Sequence, residues 1–315
     1  MPTFGDGVYQ YGGVPTLSGG LPIVAGNVYW VSSLLGSSAN DGTKDKPFNA
    51  LARALDFSTI NDCIMLMPGH AENITTTGVF AIDQAGTIVW GLGEYDYRPT
   101  FTFTVAAAYA KIEAANVRVH NVKFVAGTTA TAHGLSVEAK GCKVTDCVFE
   151  EVKASTYCFH DALTNVAGTT DTDIDGLHIE GCVFYQPTNV SSGCILITGA
   201  HHDITILNNR FTAGYTSGTD AGPPIYMPDT ATIYNLNVGW NYISTAITSG
   251  TAGIEIGSVT GYGAVHHNCV QSESSVSVSP GITVSATATI GCFENYYSGE
   301  SGESGVLDPA AYSTA

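Results

Sequence analysis

Two pairs of adjacent histidines are the residues of this chain best suited to chemistry. His201-His202 runs into Asp203, and His266-His267 runs into Asn268. Imidazole beside a carboxylate can ligate a metal or exchange a proton near neutral pH. The plainer reading is turn and strand-edge polar residues, and it is the expectation for both clusters. A third candidate, Asp171-Thr172-Asp173-Ile174-Asp175-Gly176, copies the opening of a calcium loop. Such a loop closes with a bidentate Glu at its twelfth position, where this chain has Cys182. Ca²⁺ on Asp171, Asp173 and Asp175 therefore has half a motif behind it, and an acidic surface loop is expected. Of the four arginines, Arg53, Arg98, Arg118 and Arg210, the last two fall at outward strand positions of different coils with no acidic cluster near them in sequence, so a solvated strand face is expected there. No catalytic set emerges.

Composition narrows the partners. Eleven Lys and Arg stand against 28 Asp and Glu, a formal net charge of −17. Phosphate contacts need clustered basic residues, so nucleic acid is excluded as a partner. An anionic polysaccharide would be gripped poorly. No apolar run reaches the ~18 residues of a membrane span. The eight cysteines form no CxxC pair, and most sit in apolar runs as small hydrophobes, so neither a metal nor a disulfide is expected of them. The first residues lack the charged and apolar regions of a signal peptide. Synthesis in a host cytoplasm with free thiols follows as an expectation.

The elements that must position these residues are visible as a long-period repeat. Val117–Phe124, Cys142–Phe149, Leu177–Phe184, Ile204–Phe211 and Leu236–Ile243 share the pattern apolar–x–apolar–x–x–key–x–apolar. Weaker copies lie at 87–93, 263–270 and 290–297. The key positions are Leu92, Val122, Cys147, Cys182, Asn209, Asn241, Asn268 and Asn295, spaced 25 to 35 residues apart. A second ladder of short alternating strands, such as Gly193–Ile197 and Gly253–Ile256, precedes each key position at nearly constant phase. Strands of fixed length joined by loops of varying length mark a solenoid. Asparagines stacked at the ~4.8 Å rung spacing can bond amide to amide, and Asn tolerates the left-handed conformation of a tight turn. By the same spacing, His202 and His267, two coils apart, are expected ~10 Å from each other.

The Asn column at 209, 241, 268 and 295 resembles that of the pectate-lyase-like right-handed parallel β-helix proteins. So does the opening stretch Asp41-Gly42-Thr43, Pro47-Phe48, Leu51, Ala54-Leu55 and Asp62–Gly69, which is similar to their N-terminal cap and first coil. The resemblance implies an all-β, single-stranded right-handed parallel β-helix of about eight coils over residues 37–300. A capping helix over 47–57 should be opened by Pro47, with Phe48, Leu51 and Leu55 as its apolar stripe. Residues 1–36 read as a Gly- and Tyr-rich arm without strand or helix period, followed by a lead-in strand, and 301–315 as an irregular tail. The superfamily holds lyases, hydrolases, adhesins and phage tailspikes, so the fold assigns no activity. The adjacent Asp pairs and Gly-His-Gly turn of its polygalacturonase-like members are missing here.

By elimination the expected role is structural. We expect a virion protein, a bacteriophage capsid decoration or head protrusion, on the virion surface. It would be homotrimeric and anchored to other virion proteins through residues 1–28. The alternative is a tailspike or adhesin that binds or cleaves a host surface polysaccharide, with the tyrosines as stacking platforms. A cytosolic β-helix enzyme acting on a small glycan is a third reading.

Overall fold

The computed structural model describes residues 8–11, 14–17 and 24–307, other than 78, 130, 153–156, 168–169, 172, 187–192, 215–221, 246–251, 258–260, 273–280, 285–288 and 300–303. The chain is a right-handed parallel β-helix. Each coil lays one strand on each of three sheets, and the shortest sheet has eight strands, a stack of about seven turns. The first sheet runs from Val28–Val31 through Arg118–His120, His178–Glu180 and Thr232–Gly239 to Thr289–Phe293. The second runs from Ala71–Ile74 through Lys123–Ala126 and Val183–Gln186 to Asn295–Gly299. The third runs from Ala81–Ile82 to Ile282–Val284.

Period-two alternation decides what faces in. In Arg118–His120 the Val119 side chain is buried, while Arg118 and His120 face out. The apolar members of the repeat stack rung on rung. Phe124, Phe149, Phe184 and Phe211 form a ring column with centroids 5.1, 4.9 and 4.8 Å apart. Those spacings match the ~4.8 Å between strands, so packing and backbone pairing repeat in register. All eight cysteines are free thiols.

The ends depart from expectation. Helix Leu51–Phe57 begins later than Pro47. Phe48 instead pairs with Val31 as an isolated parallel bridge, and the buried stripe is Leu51, Ala54 and Leu55. Proline's fixed φ suits a helix start, but here the chain must first complete the rung over Val28–Val31. The Leu51 N–H donates to the Glu72 carboxylate at 2.5 Å, which anchors the helix start to the next coil. The arm is not free of period: Val8–Tyr11 and Val14–Leu17 pair as an antiparallel hairpin. Gly12-Gly13, between them in sequence, is a hairpin signal. At the far end Ser304–Leu307 adds an antiparallel strand to Asn295–Gly299, where an irregular tail was expected. That strand covers the last exposed rung of the second sheet.

Candidate functional site

From the key position Val122 onward, each coil leaves the first sheet through a tight turn whose residue before the key position is left-handed. These residues are Asn121, Asp146, Gly181, Asn208, Trp240, His267 and Glu294. The left-handed residue is thus the neighbour of the key Asn, not the Asn as expected. The key residue points inward, where a left-handed backbone would turn its side chain away from the column. Asn, Asp and Gly adopt this conformation at low cost, whereas other side chains lose about 1–2 kcal/mol each. Trp240, His267 and Glu294, at φ of 58°, 52° and 54°, occupy three successive turns, and of these only His267 has a residue type enriched in that region. Bulky residues held there are uncommon, and such strain concentrates at functional sites.

Beneath the turns lies the asparagine ladder. Asn209 Nδ2 donates to Asn241 Oδ1 at 3.1 Å, Asn241 to Asn268 at 2.9 Å, and Asn268 to Asn295 at 3.0 Å. Each Oδ1 also accepts the backbone N–H one coil back: Cys182, Asn209, Asn241 and Asn268 are the donors. Each Nδ2 gives a second hydrogen to a carbonyl, from Ile179 to Val265 up the column. The buried amides are thereby bonded on both sides and fix the turns above them.

The outer surface of the strained turns is an aromatic and polar platform. The Trp240 ring is 57% exposed and lies 4.1 Å over His267 at 18°. His266 stacks on Phe293 with centroids 5.2 Å apart at 8°. Asn237 Oδ1, His266 and His267 are joined at 2.8 and 3.0 Å, and His267 Nε2 pairs with Glu294, so four polar side chains form one chain. Burial, then neighbouring His267, lowers the His266 pKa against the opposing pull of Glu294. Gly239 makes room for the ring: a Cβ there would come within 2.3 Å of His266 Cε1. Such a surface offers ring faces, hydrogen-bond donors and acceptors, and a proton-bearing imidazole chain.

The same face carries a groove of about 690 Å³ at the N-terminal coils, lined by Glu94, Asp96, Arg98, His120, Lys123 and Asp146 among others. His120 lies 3.7 Å over Trp90, bonds Thr145 Oγ1 at 2.9 Å and sits 3.3 Å from Asp146. Burial pushes its pKa down to about 4, with Asp146 opposing and Arg118 and Arg98 adding to the shift. Arg118 stacks over Trp90 at 4.8 Å. Lys123 pairs with Glu150. Sequence reasoning passed over this groove because its residues come from three coils. Columns of the repeat contain it: Trp90, His120 and Thr145 are register partners.

The two histidine clusters do not meet. His201 and His202 lie in Ala200–His202, level with the beginning of the Thr232–Gly239 strand, while His266 ends Tyr262–His266. They sit at opposite ends of the strands of the first sheet, so the ~10 Å expectation, which counted rungs alone, overlooks the strand length between them. His202 is exposed and stacks 4.9 Å from Tyr234. Asp203 is a left-handed turn residue at φ 59°, in a second column with Asn61, Asn116 and Asn235, and it accepts from Asn235. It is a turn builder, not a partner for either imidazole. His201 is buried near Asp173 and Asp175. Asp171 lies in the short Thr170–Asp171 strand, and its side chain, like all of Thr172, falls outside the described residues.

No family model matches the chain. No curated protein matches it either. Among solved structures it is similar to a rhamnogalacturonan lyase, at 15% identity over 90% of each chain and a TM-score of 0.38. It is also similar to the pectin methylesterase of Aspergillus niger, at 15% identity over 90% of this chain and 92% of that one, with a TM-score of 0.45. A pectate lyase aligns at 13% identity over 84% of this chain and 78% of that one, with a TM-score of 0.36. All three are parallel β-helix proteins, and the likeness ends at that architecture.

Proposed function

We propose that the chain binds a neutral saccharide along the exit turns of its first sheet, as the recognition surface of a tailspike- or adhesin-like protein. One observation carries this reading: Trp240, His267 and Glu294 hold three successive turns in a left-handed conformation that Asn or Gly would adopt more cheaply. Exposed, pre-oriented aromatic rings with hydrogen-bonding groups beside them suit a sugar, whose ring presents an apolar face and a hydroxyl rim. The groove around His120 lies on the same face and extends it toward the N-terminal coils. A net charge of −17 favours uncharged glycans over polyuronates.

The test is calorimetric titration of neutral galactan and glucan oligosaccharides and of oligogalacturonate into the full chain and Trp240→Gly. Binding of a neutral oligosaccharide that weakens at least tenfold in the variant supports the reading. Equal binding by both proteins, preference for oligogalacturonate, or no binding removes it.

A second reading keeps the chain as a structural protein of a bacteriophage virion, a capsid decoration anchored through residues 1–28. What favours it is the Val8–Tyr11 and Val14–Leu17 hairpin, whose strands form a sheet separate from the three of the stack. In this setting the protein is a homotrimer made in the host cytoplasm and carried on the virion surface. Co-sedimentation with undecorated heads should occur for the full chain and be lost on deletion of residues 1–28. If neither protein sediments with heads, the decoration reading fails.

A further inference from the structure

We propose that Asp173, Asp175 and His201 form a binding site for a divalent first-row transition ion, with Zn²⁺ as the representative ligand. One ligand atom from each residue lies within 4.8 Å of the others. The residues come from adjacent coils. Asp173 and Asp175 lie in the loop leading to His178–Glu180, and His201 lies in the lead-in of the next coil. The Gly176 N–H donates to the His202 carbonyl at 2.9 Å and ties the two segments together.

The imidazole is the informative member. His201 is only 2% exposed. Its Nε2 lies 2.6 Å from the Thr198 carbonyl oxygen. Asn165 Nδ2 lies 3.0 Å from the same nitrogen, but the carbonyl can only accept and its contact is much the shorter, so Nε2 is assigned the proton. The neutral ring therefore has its lone pair on Nδ1, which is buried and has no hydrogen-bond partner. A buried acceptor without a donor is rare, and it demands an explanation. A metal ion held between the ring and the two carboxylates supplies one. The Nε2–H···O=C bond is the kind of outer contact that fixes the tautomer of a ligating histidine. Asn165 braces the same carbonyl: its Nδ2 donates to Thr198 O, and its Oδ1 accepts from Thr198 N, both at 2.9 Å.

The acids are oriented as well. Asp175 Oδ1 accepts the His202 N–H at 2.6 Å, and Asp173 Oδ1 accepts the Asp175 N–H at 3.1 Å. The donor set decides the metal class. Ca²⁺ takes six to eight oxygens, whereas an imidazole nitrogen with two carboxylates suits a zinc-like ion. Three protein ligands leave at least one position for water or a substrate oxygen. The half calcium loop and the histidine pair, read separately in sequence, are here parts of one site. It lies where the strands of the first sheet begin, and the Trp240 platform lies where they end, so it does not depend on saccharide binding there.

The experiment is titration of Zn²⁺, and separately Ca²⁺, into chelator-treated full-length protein, followed by calorimetry and by thermal unfolding. The variants are Asp173→Asn, His201→Asn and His267→Ala. Expected are one equivalent of tightly bound Zn²⁺, a rise in Tm, and no displacement by millimolar Ca²⁺. Asp173→Asn, an exposed substitution, should keep the fold and weaken Zn²⁺ at least tenfold. His201→Asn should do the same if it folds, and His267→Ala should bind like the parent. Absence of stoichiometric Zn²⁺ binding, full binding by Asp173→Asn, loss in His267→Ala alone, or Ca²⁺ binding as tightly as Zn²⁺ would overturn the proposal.

Discussion

A single residue type does two jobs in this chain, and position in the turn decides which. Asn208 and Asn121 accept a left-handed backbone, while Asn209, one residue on, supplies a ladder amide. Removing one ladder member strands its neighbours. Asn241→Leu leaves the Asn209 backbone N–H and one Nδ2 hydrogen without their acceptor, and deprives Asn268 Oδ1 and the Ile206 carbonyl of the Asn241 Nδ2 donor. At about 1–3 kcal/mol for each stranded buried group, a loss of about 3 kcal/mol or more is expected in urea unfolding. A loss below 0.5 kcal/mol would mean the column is ornamental. Trp240→Gly should behave in the opposite way. It relieves a left-handed Trp, so stability should hold or rise by about 1 kcal/mol while saccharide binding falls. A variant that lost stability and binding together would point to a packing role for the ring. Protonation provides a third check. His120 has a folded pKa of about 4 against an ordinary value of 6.5, so the unfolded chain takes up the proton first as pH falls. Stability should therefore be full above pH 6.5 and decline toward pH 4, and His120→Gln should flatten that part of the Tm profile.

At the scale of elements, the repeat stacks like on like, and each column has its own physics. The phenylalanine column is the one most sensitive to deletion. Phe184 touches rings on both sides, at 4.9 and 4.8 Å, and is fully buried. Phe184→Ala should cost about 3–5 kcal/mol. Because each coil contacts chiefly its neighbours, hydrogen exchange should rise first in the adjacent rungs rather than evenly along the stack. Uniform acceleration would show that the stack unfolds as one unit. The helix Leu51–Phe57 and the strand Ser304–Leu307 serve the opposite purpose, since they end the repeat by covering an apolar core or an unpaired edge.

The whole molecule is a buried apolar column inside a strongly acidic shell. Its thiols illustrate the difference between core and surface. Burial pushes Cys63 to about 12 and Cys142 to about 11, and raises Cys182 and Cys194 as well. The thiolate is the reactive form, so these four should resist a thiol reagent at pH 8 until the chain unfolds, with Cys269 and Cys292 as the more accessible sites. Rapid native reaction at the buried four would indicate that the coils open far more often than this packing allows.

The solenoid was legible from residues alone, because parallel stacking forces apolar, turn and key positions to recur with the coil, and only loops absorb the variation. The asparagine column was legible for the same reason. The ends were not. Pro47 and Phe48 follow the demands of the rung beneath them rather than their local preference, and the hairpin signal at Gly12-Gly13 is only two residues long. The sites were legible only in fragments. Sequence gives spacing along the chain, whereas coil closure decides which end of a strand a residue occupies. It therefore put His202 and His267 at opposite ends of the strands of one sheet, made Asp203 a turn residue, and gathered Arg98, His120 and Asp146 around one groove. Coil closure also brought His201 to the acids of the preceding coil.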